Sequence, residues 1–243
     1  MFLATPLPAF LHAFQQHWPF PTVLAGCSLV STRFDQQQLT AADFSNNAIT
    51  APKATQKRQA EFLSARLCAR HALLLQTGHS GLPMAQADSR APLWPAQSCG
   101  SMSHSHGIAA AIVGASQHWQ NLGLDIEKPI SVARAQRLFN AILTPTEQQR
   151  YHQLDQDSAA WYLTYVFSLK ESLFKALNPL TEVYFTFQDA QVLDFNLAEA
   201  GCVRLQLCQS LSAEWPSCSE LQGQFARLHD SAITLVTVPA RPK

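Results

Sequence analysis

Leu122-Gly123-Leu124-Asp125-Ile126-Glu127 alternates without a break. Successive side chains of a strand point to opposite faces, so Leu122, Leu124 and Ile126 share one face and Gly123, Asp125 and Glu127 the other. Two carboxylates two residues apart on one side of a strand lie about 7 Å from each other. They repel unless a cation lies between them, and hard oxygen ligands suit magnesium. Gly123 is expected to leave room for a ligand to approach the backbone. The plainer reading of the same alternation is a solvated strand edge ending in ordinary acids. The strand alone does not choose between them.

Working outward, residues 158–177 read as a long helix ended by Asn178-Pro179. Leu163, Val166, Phe167, Leu173, Phe174 and Leu177 form one apolar arc, with Lys170 in its middle. A charge there is costly unless it is paired or close to a cleft. Glu171 and Lys175, neighbours at i,i+4 spacing, sit at the arc's margin with Thr164 and Ser168. A surface ion pair has the same pattern. Beside an embedded lysine it also reads as a site wall, with Glu171 a third carboxylate and Lys175 facing a phosphate oxygen. Upstream, Gly100-Ser101-Met102-Ser103-His104-Ser105-His106-Gly107 enters a strand in which His104 and His106 are expected to share a face. That spacing suits a metal or places an imidazole on an anion.

The remaining pattern mixes helices and strands. Residues 22–34 read as a strand with Gly26 inside it, 53–77 as a helix stopped at Gly78, and 79–100 as a long connection. Residues 100–115 read as one buried strand. Thr144-Pro145-Thr146-Glu147 is a helix start with N-cap, proline and capping-box glutamate in place. Residues 183–238 read as several strands, with turns at Gly201 and His229-Asp230. Leu63, Leu67, Arg70 and Leu74 against Leu163, Phe167, Lys170 and Phe174 are offset by one hundred, a hint of two related halves meeting near 115–121.

Lys plus Arg and Asp plus Glu are both 17, so the chain is formally neutral, which argues against a globally basic nucleic-acid binder. Against that neutrality, Lys53, Lys57, Arg58, Arg66 and Arg70 crowd a stretch where Glu61 is the only acid. This is a polyanion-binding surface. The six cysteines lack paired CxxC spacing and are expected to be reduced thiols. No apolar run reaches the ~18 residues of a membrane span, and the first twenty residues lack the pattern of a secretory leader. A soluble cytoplasmic protein is expected. No Gly-rich phosphate loop is present. From the residues alone the reading stops at a magnesium-dependent enzyme acting on a phosphate ester or anhydride. Two rivals stand beside it: a metal-dependent hydrolase with His104, His106 and Asp125 as ligands, and a nucleic-acid-binding module using the 53–70 helix.

The motifs carry a resemblance. Gly123 to Glu127, followed some forty residues later by Phe167-Ser168-Leu169-Lys170-Glu171-Ser172-Leu173-Phe174-Lys175-Ala176, resembles the paired signature of the 4′-phosphopantetheinyl transferase superfamily. Gly100 to His104 resembles its serine–histidine motif. Arg90-Ala91-Pro92 and Lys57-Arg58 through Arg66 resemble motifs of the double-length, monomeric class that includes the enterobactin-synthase and surfactin-synthetase activating enzymes. The resemblance implies an α+β fold of two similar halves about a pseudo-twofold axis, residues 1–117 and 118–243. Each half would be a long helix on a small, mostly antiparallel sheet, with the active site between them. It implies transfer of the phosphopantetheine arm of coenzyme A to a serine of apo acyl, peptidyl or polyketide carrier proteins, releasing adenosine 3′,5′-bisphosphate. It further implies that Asp125, Glu127 and Glu171 hold magnesium, that Lys175 meets the pyrophosphate, and that Glu171 or Glu127 takes the serine proton. Ser103, His104, Arg58, Arg66 and Arg90 would line the adenosine end. Phe167 stands where many members have tryptophan. Lys170 matches the motif without an assigned role.

Overall fold

A computed structural model describes residues 7–85 and 91–241. The first part of the chain contributes β1 (Cys27–Arg33), α1 (Ala41–Asn46), α2 (Gln56–Thr77), the short paired strands β2 (Met84–Ala85) and β3 (Pro92–Leu93), β4 (Ser98–Ser105) and β5 (Ile108–Ala115). β1, β5 and β4 form an antiparallel sheet in that order. Helix α2 starts where Thr55 Oγ1 accepts from the Arg58 amide and stops at Gly78, at φ +74°. Alternation in β5 divides its side chains cleanly. Ala109, Ala111 and Val113 pack under α2, and Ile108, Ala110 and Ile112 face the other way.

Two expectations for this part are corrected. The strand read over 22–34 begins at Cys27, because Gly26 sits at φ +65° in the turn before it. The single strand read over 100–115 is a hairpin: β4 and β5 are joined by His106-Gly107, at φ +45° and +81°. Both turn residues have positive φ, as a tight two-residue hairpin requires. His106 therefore sits in the turn, with Nδ1 2.9 Å from Ser105 Oγ, and does not share a strand face with His104.

The second part runs β6 (Trp119–Glu127), α3 (Val132–Ile142), α4 (Pro145–Tyr151), α5 (Gln156–Thr181), β7 (Ala190–Val192), β8 (Ala200–Leu207), β9 (Glu220–Leu228) and β10 (Ser231–Pro239). Its sheet is antiparallel in the order β6-β10-β9-β8-β7. The capping box at Thr144 and Glu147 is present, and His229-Asp230 is the β9–β10 turn. Gly201 is not a turn. It lies in β8 opposite Phe225, whose ring would stand 2.6 Å from a Cβ there. Asn178-Pro179 does not end α5, which continues to Thr181. Pro179 has no N–H for the Lys175 carbonyl. Asn121 Nδ2 of β6 donates instead, to Lys175 O at 3.4 Å and Ala176 O at 2.8 Å, so the helix passes through the proline.

The layers stack as helix, sheet, sheet, helix. α2 covers the first sheet, α5 covers the second, and the inner faces of the sheets meet in a shared core. That core joins Leu29, Ile108 and Ile112 to Leu122, Leu124, Ile126, Ile233 and Leu235. β6 is thus clamped between the first sheet on its leucine face and α5 on its Gly123–Asp125–Glu127 face. The halves of the chain share one plan, a long helix on an antiparallel sheet, and the fold is α+β.

Candidate active site

The solvated-edge reading of β6 fails: Asp125 is only 5% exposed, beneath α5. Gly123 is what lets the helix come this close. A Cβ there would stand 1.8 Å from Ser172 O and 2.8 Å from the Ala176 nitrogen, so the space expected for a ligand is filled by helix backbone. Thr164, Ser168 and Ser172, a polar i,i+4 stripe, lie buried along the contact instead of at a solvent margin.

Asp125 is the hub. Lys175 Nζ donates to its Oδ1 at 2.7 Å, and also to Ser103 Oγ at 3.2 Å and the Leu124 carbonyl at 3.0 Å. Ser103 Oγ donates to the same Oδ1 at 3.0 Å and accepts from the Ile126 amide at 3.1 Å. Ser168 Oγ donates to Oδ2 at 2.8 Å. One side chain from the first sheet, one from the second and two from α5 thus converge, which joins the serine–histidine strand to the acidic strand. Part of the β4–β6 seam is held by serine side chains: Ser101 Oγ also donates to the Leu124 carbonyl, at 3.5 Å.

Glu127 and Glu171 complete the acidic group electrostatically. Burial and then Asp125 push the Glu127 carboxyl up to about 7, with Arg134 and Lys175 opposing and Glu171 adding to the rise. Burial and then Asp125 also raise Glu171, and Lys175 opposes. Among the described residues neither carboxylate has a hydrogen-bond or ion-pair partner. Among the described residues no three His, Cys, Asp or Glu side chains stand close enough together to hold a metal ion as they are. What the structure places at the acids is the Lys175 ammonium, which compensates Asp125 and leaves the other two short of positive charge. The donor set is all carboxylate oxygen, the chemistry a divalent cation of the magnesium type takes, with two of the three charges, on Glu127 and Glu171, uncompensated.

On the other face of β4, His104 turns toward α2. Arg58 Nη1 lies 2.7 Å from its Nε2, and Glu61 Oε2 lies 3.6 Å from its Nδ1. A guanidinium only donates, so Nε2 accepts and the proton resides on Nδ1, facing Glu61. Burial holds His104 below its ordinary value, Glu61 opposing and Arg58 and Lys175 adding. Arg66 lies over the Phe62 ring, 3.4 Å from its centroid, and among the described residues it has no carboxylate partner. The structure thus brings Arg58 to His104 on the α2 face of β4, with Arg66 in electrostatic reach of Arg58, while Ser103 on the other face meets Asp125. Arg90 lies outside the described residues. Glu61, read in the sequence only as an isolated charge, stands beside both His104 and Arg58. Thr234, beneath Asp125, had no signal beyond being a threonine in a strand.

The two embedded cations leave the site. Lys170 Nζ donates to Glu147 Oε2 at 2.7 Å and to the carbonyls of Ile142 and Phe187, both at 2.8 Å. Arg70 donates to the Asn47 side chain and carbonyl. Each cation grips backbone at the end of a preceding helix, α3 for Lys170 and α1 for Arg70, so the hundred-residue offset marks equivalent structural roles.

Residues 46–114 match the family described as 4′-phosphopantetheinyl transferase N-terminal domain, and residues 121–236 match the 4′-phosphopantetheinyl transferase superfamily. The chain is 37% identical over 143 residues to enterobactin synthase component D of Escherichia coli K12, covering 59% of this chain and 65% of that protein, just under two thirds of its length. It is 31% identical over 191 residues to enterobactin synthase component D of Salmonella typhi, covering 77% of this chain and 75% of that one. It is 32% identical over 136 residues to 4′-phosphopantetheinyl transferase PptT of Mycobacterium tuberculosis, covering 56% and 58%. The matched segments carry both long helices, the serine–histidine strand and the acidic strand, and the chain belongs to the 4′-phosphopantetheinyl transferase superfamily.

Proposed function

We propose that this protein is a holo-carrier-protein synthase. It transfers the 4′-phosphopantetheine arm of coenzyme A to a serine of an apo acyl carrier protein, or of peptidyl or polyketide carrier domains, and releases adenosine 3′,5′-bisphosphate. The observation that carries the reading is the Asp125 hub. A lysine from α5 and a serine from the first sheet meet on one carboxylate of the second sheet, with two further unpartnered acids beside it. A divalent ion held by Asp125, Glu127 and Glu171 would neutralise charge on the pyrophosphate. Lys175 meets a pyrophosphate oxygen. Arg58, Arg66, His104 and Ser103 receive the phosphates of the adenosine end, and Arg90 belongs to the same end. Glu127 or Glu171, each raised toward neutrality, takes the proton of the carrier serine.

Coenzyme A carries about four negative charges near neutral pH, which calls for both a cationic rim and a metal. The protein is read as a monomer working in the cytoplasm, without nucleic-acid or membrane partners. The rival hydrolase loses its ligand set, because His106 sits in the hairpin turn. The test is the intact mass of a purified apo carrier after incubation with coenzyme A, magnesium and this protein. A gain of one phosphopantetheinyl group, lost when magnesium is chelated, is expected. An unchanged carrier mass across fatty-acid, polyketide and peptide carriers overturns the reading.

A further inference from the structure

The Asp125 oxygen that Lys175 does not touch is held by a buried chain of hydroxyls. Ser168 Oγ lies 2.8 Å from Asp125 Oδ2 and 2.8 Å from Thr234 Oγ1. Thr234 Oγ1 in turn lies 2.7 Å from Ser172 Oγ, which is also 3.1 Å from the Thr234 carbonyl. Thr234 is the direct cross-strand partner of Asp125, and Ser168 and Ser172 are one helical turn apart above it. All three hydroxyl residues are fully buried.

Proton counting gives the chain a direction. A carboxylate only accepts, so the single Ser168 proton goes to Asp125. Thr234 must then donate to Ser168, and the one Ser172 proton is shared between Thr234 Oγ1 and the Thr234 carbonyl. Each bond polarises the next toward the carboxylate. Among the described residues, the other helical hydroxyls that donate do so within their own helix or to a residue beside its end. Ser64, Thr77, Thr164 and Thr181, all in helices, each donate to the carbonyl four residues back. That is the default for a helical hydroxyl. Ser168 and Ser172 do not follow it: their protons are drawn across to β10 and β6.

We infer that Ser168, Thr234 and Ser172 are positioning residues that fix the Asp125 carboxylate plane and charge for cation binding, an inference that rests on the proposed function. Thr234 touches neither substrate nor cation, so its effect travels through Ser168. Outer-shell partners of metal ligands typically govern affinity by ten- to a hundredfold. The test is calorimetric titration of magnesium into the protein without coenzyme A, alongside carrier modification. Ser168→Ala is expected to weaken magnesium binding by about tenfold and Thr234→Val by about threefold. Thr234→Ser, which keeps the hydroxyl, is expected to bind like the wild type. A Thr234→Val protein that binds magnesium as the wild type does, or a Thr234→Ser protein as weak as the valine variant, overturns the inference. The Thr234 pair decides the matter even if Ser168→Ala fails to fold. Wild-type protein that neither binds magnesium nor modifies a carrier sinks the proposed function, and the inference with it. Wild-type binding with unaffected variants sinks the inference alone.

Discussion

Lys175 Nζ lies 2.7 Å from Asp125 Oδ1, so a side-chain ammonium stands on the oxygen that a metal would use. The same nitrogen is the cation nearest the expected pyrophosphate. A divalent ion reaching that oxygen must displace the ammonium, which is then free to meet phosphate. Replacing Lys175 with methionine removes the competitor and the phosphate contact together. Magnesium alone is expected to raise the melting temperature of Lys175→Met by more than it raises that of the wild type. Transfer to a carrier is expected to slow by about tenfold or more, the cost of one charge-assisted contact. A magnesium shift no larger than the wild type's removes Asp125 from the cation site.

Glu127 gives the protein a pH dependence whose sign is fixed. Its carboxyl is raised from 4.5 to about 7 by burial and by Asp125. The native state holds that proton more tightly than the unfolded chain does. The stabilisation is therefore complete below 4.5 and is lost as pH rises through about 7. Glu171 is shifted in the same direction. In chelator, thermal melts of Glu127→Gln are expected to match the wild type at acid pH and to exceed it above neutrality, with carrier modification abolished. A site that costs stability in order to hold charge behaves this way. Parallel melting curves across the range would mean Glu127 is not strained by its neighbours.

Much of this site was legible because the signals were local. The 122–127 alternation, the i,i+4 pair of Glu171 and Lys175, the Thr144–Glu147 capping box and the stop at Gly78 each depend on residues within one turn or one strand. What was misread depended on partners far away in sequence. Pro179 looked like a terminator because Asn121, which donates to the freed Lys175 carbonyl and to its neighbour at Ala176, lies more than fifty residues upstream. Gly123 looked like ligand space because nothing nearby says that α5 lies against it. Lys170 had no assigned role because its counter-ion, Glu147, is twenty-three residues away and reads in the sequence only as a cap. The β4–β5 hairpin was missed because histidine occupies the turn position where asparagine usually signals it.

That hairpin offers a clean way to separate the transferase from the metal hydrolase. His106 is at φ +45°, a conformation asparagine tolerates better than most residues. His106→Asn therefore deletes the imidazole without harming the turn. Carrier modification and melting temperature are expected to stay at wild-type levels. A large loss of carrier modification by a well-folded His106→Asn protein would restore a role for this histidine in the chemistry.

The Lys170–Glu147 pair makes the opposite kind of prediction, a large effect on stability with none on chemistry. Both side chains are essentially inaccessible, and all three lysine protons are used. Glu147 also accepts from the amides of Thr144 and Val192, so it ties α4 to β7 as well as to α5. Lys170→Met strands a buried carboxylate and two carbonyls, and is expected to cost about 3–5 kcal/mol in urea unfolding. Pairing it with Glu147→Gln removes the stranded charge while keeping an acceptor for the amides, so the double variant is expected to recover part of that loss. Rate per folded molecule, measured at a temperature where both variants remain native, is expected to stay close to wild type, because no atom of the pair faces the Asp125 hub. A folded double variant that binds coenzyme A normally but transfers slowly would place Lys170 in the reaction after all.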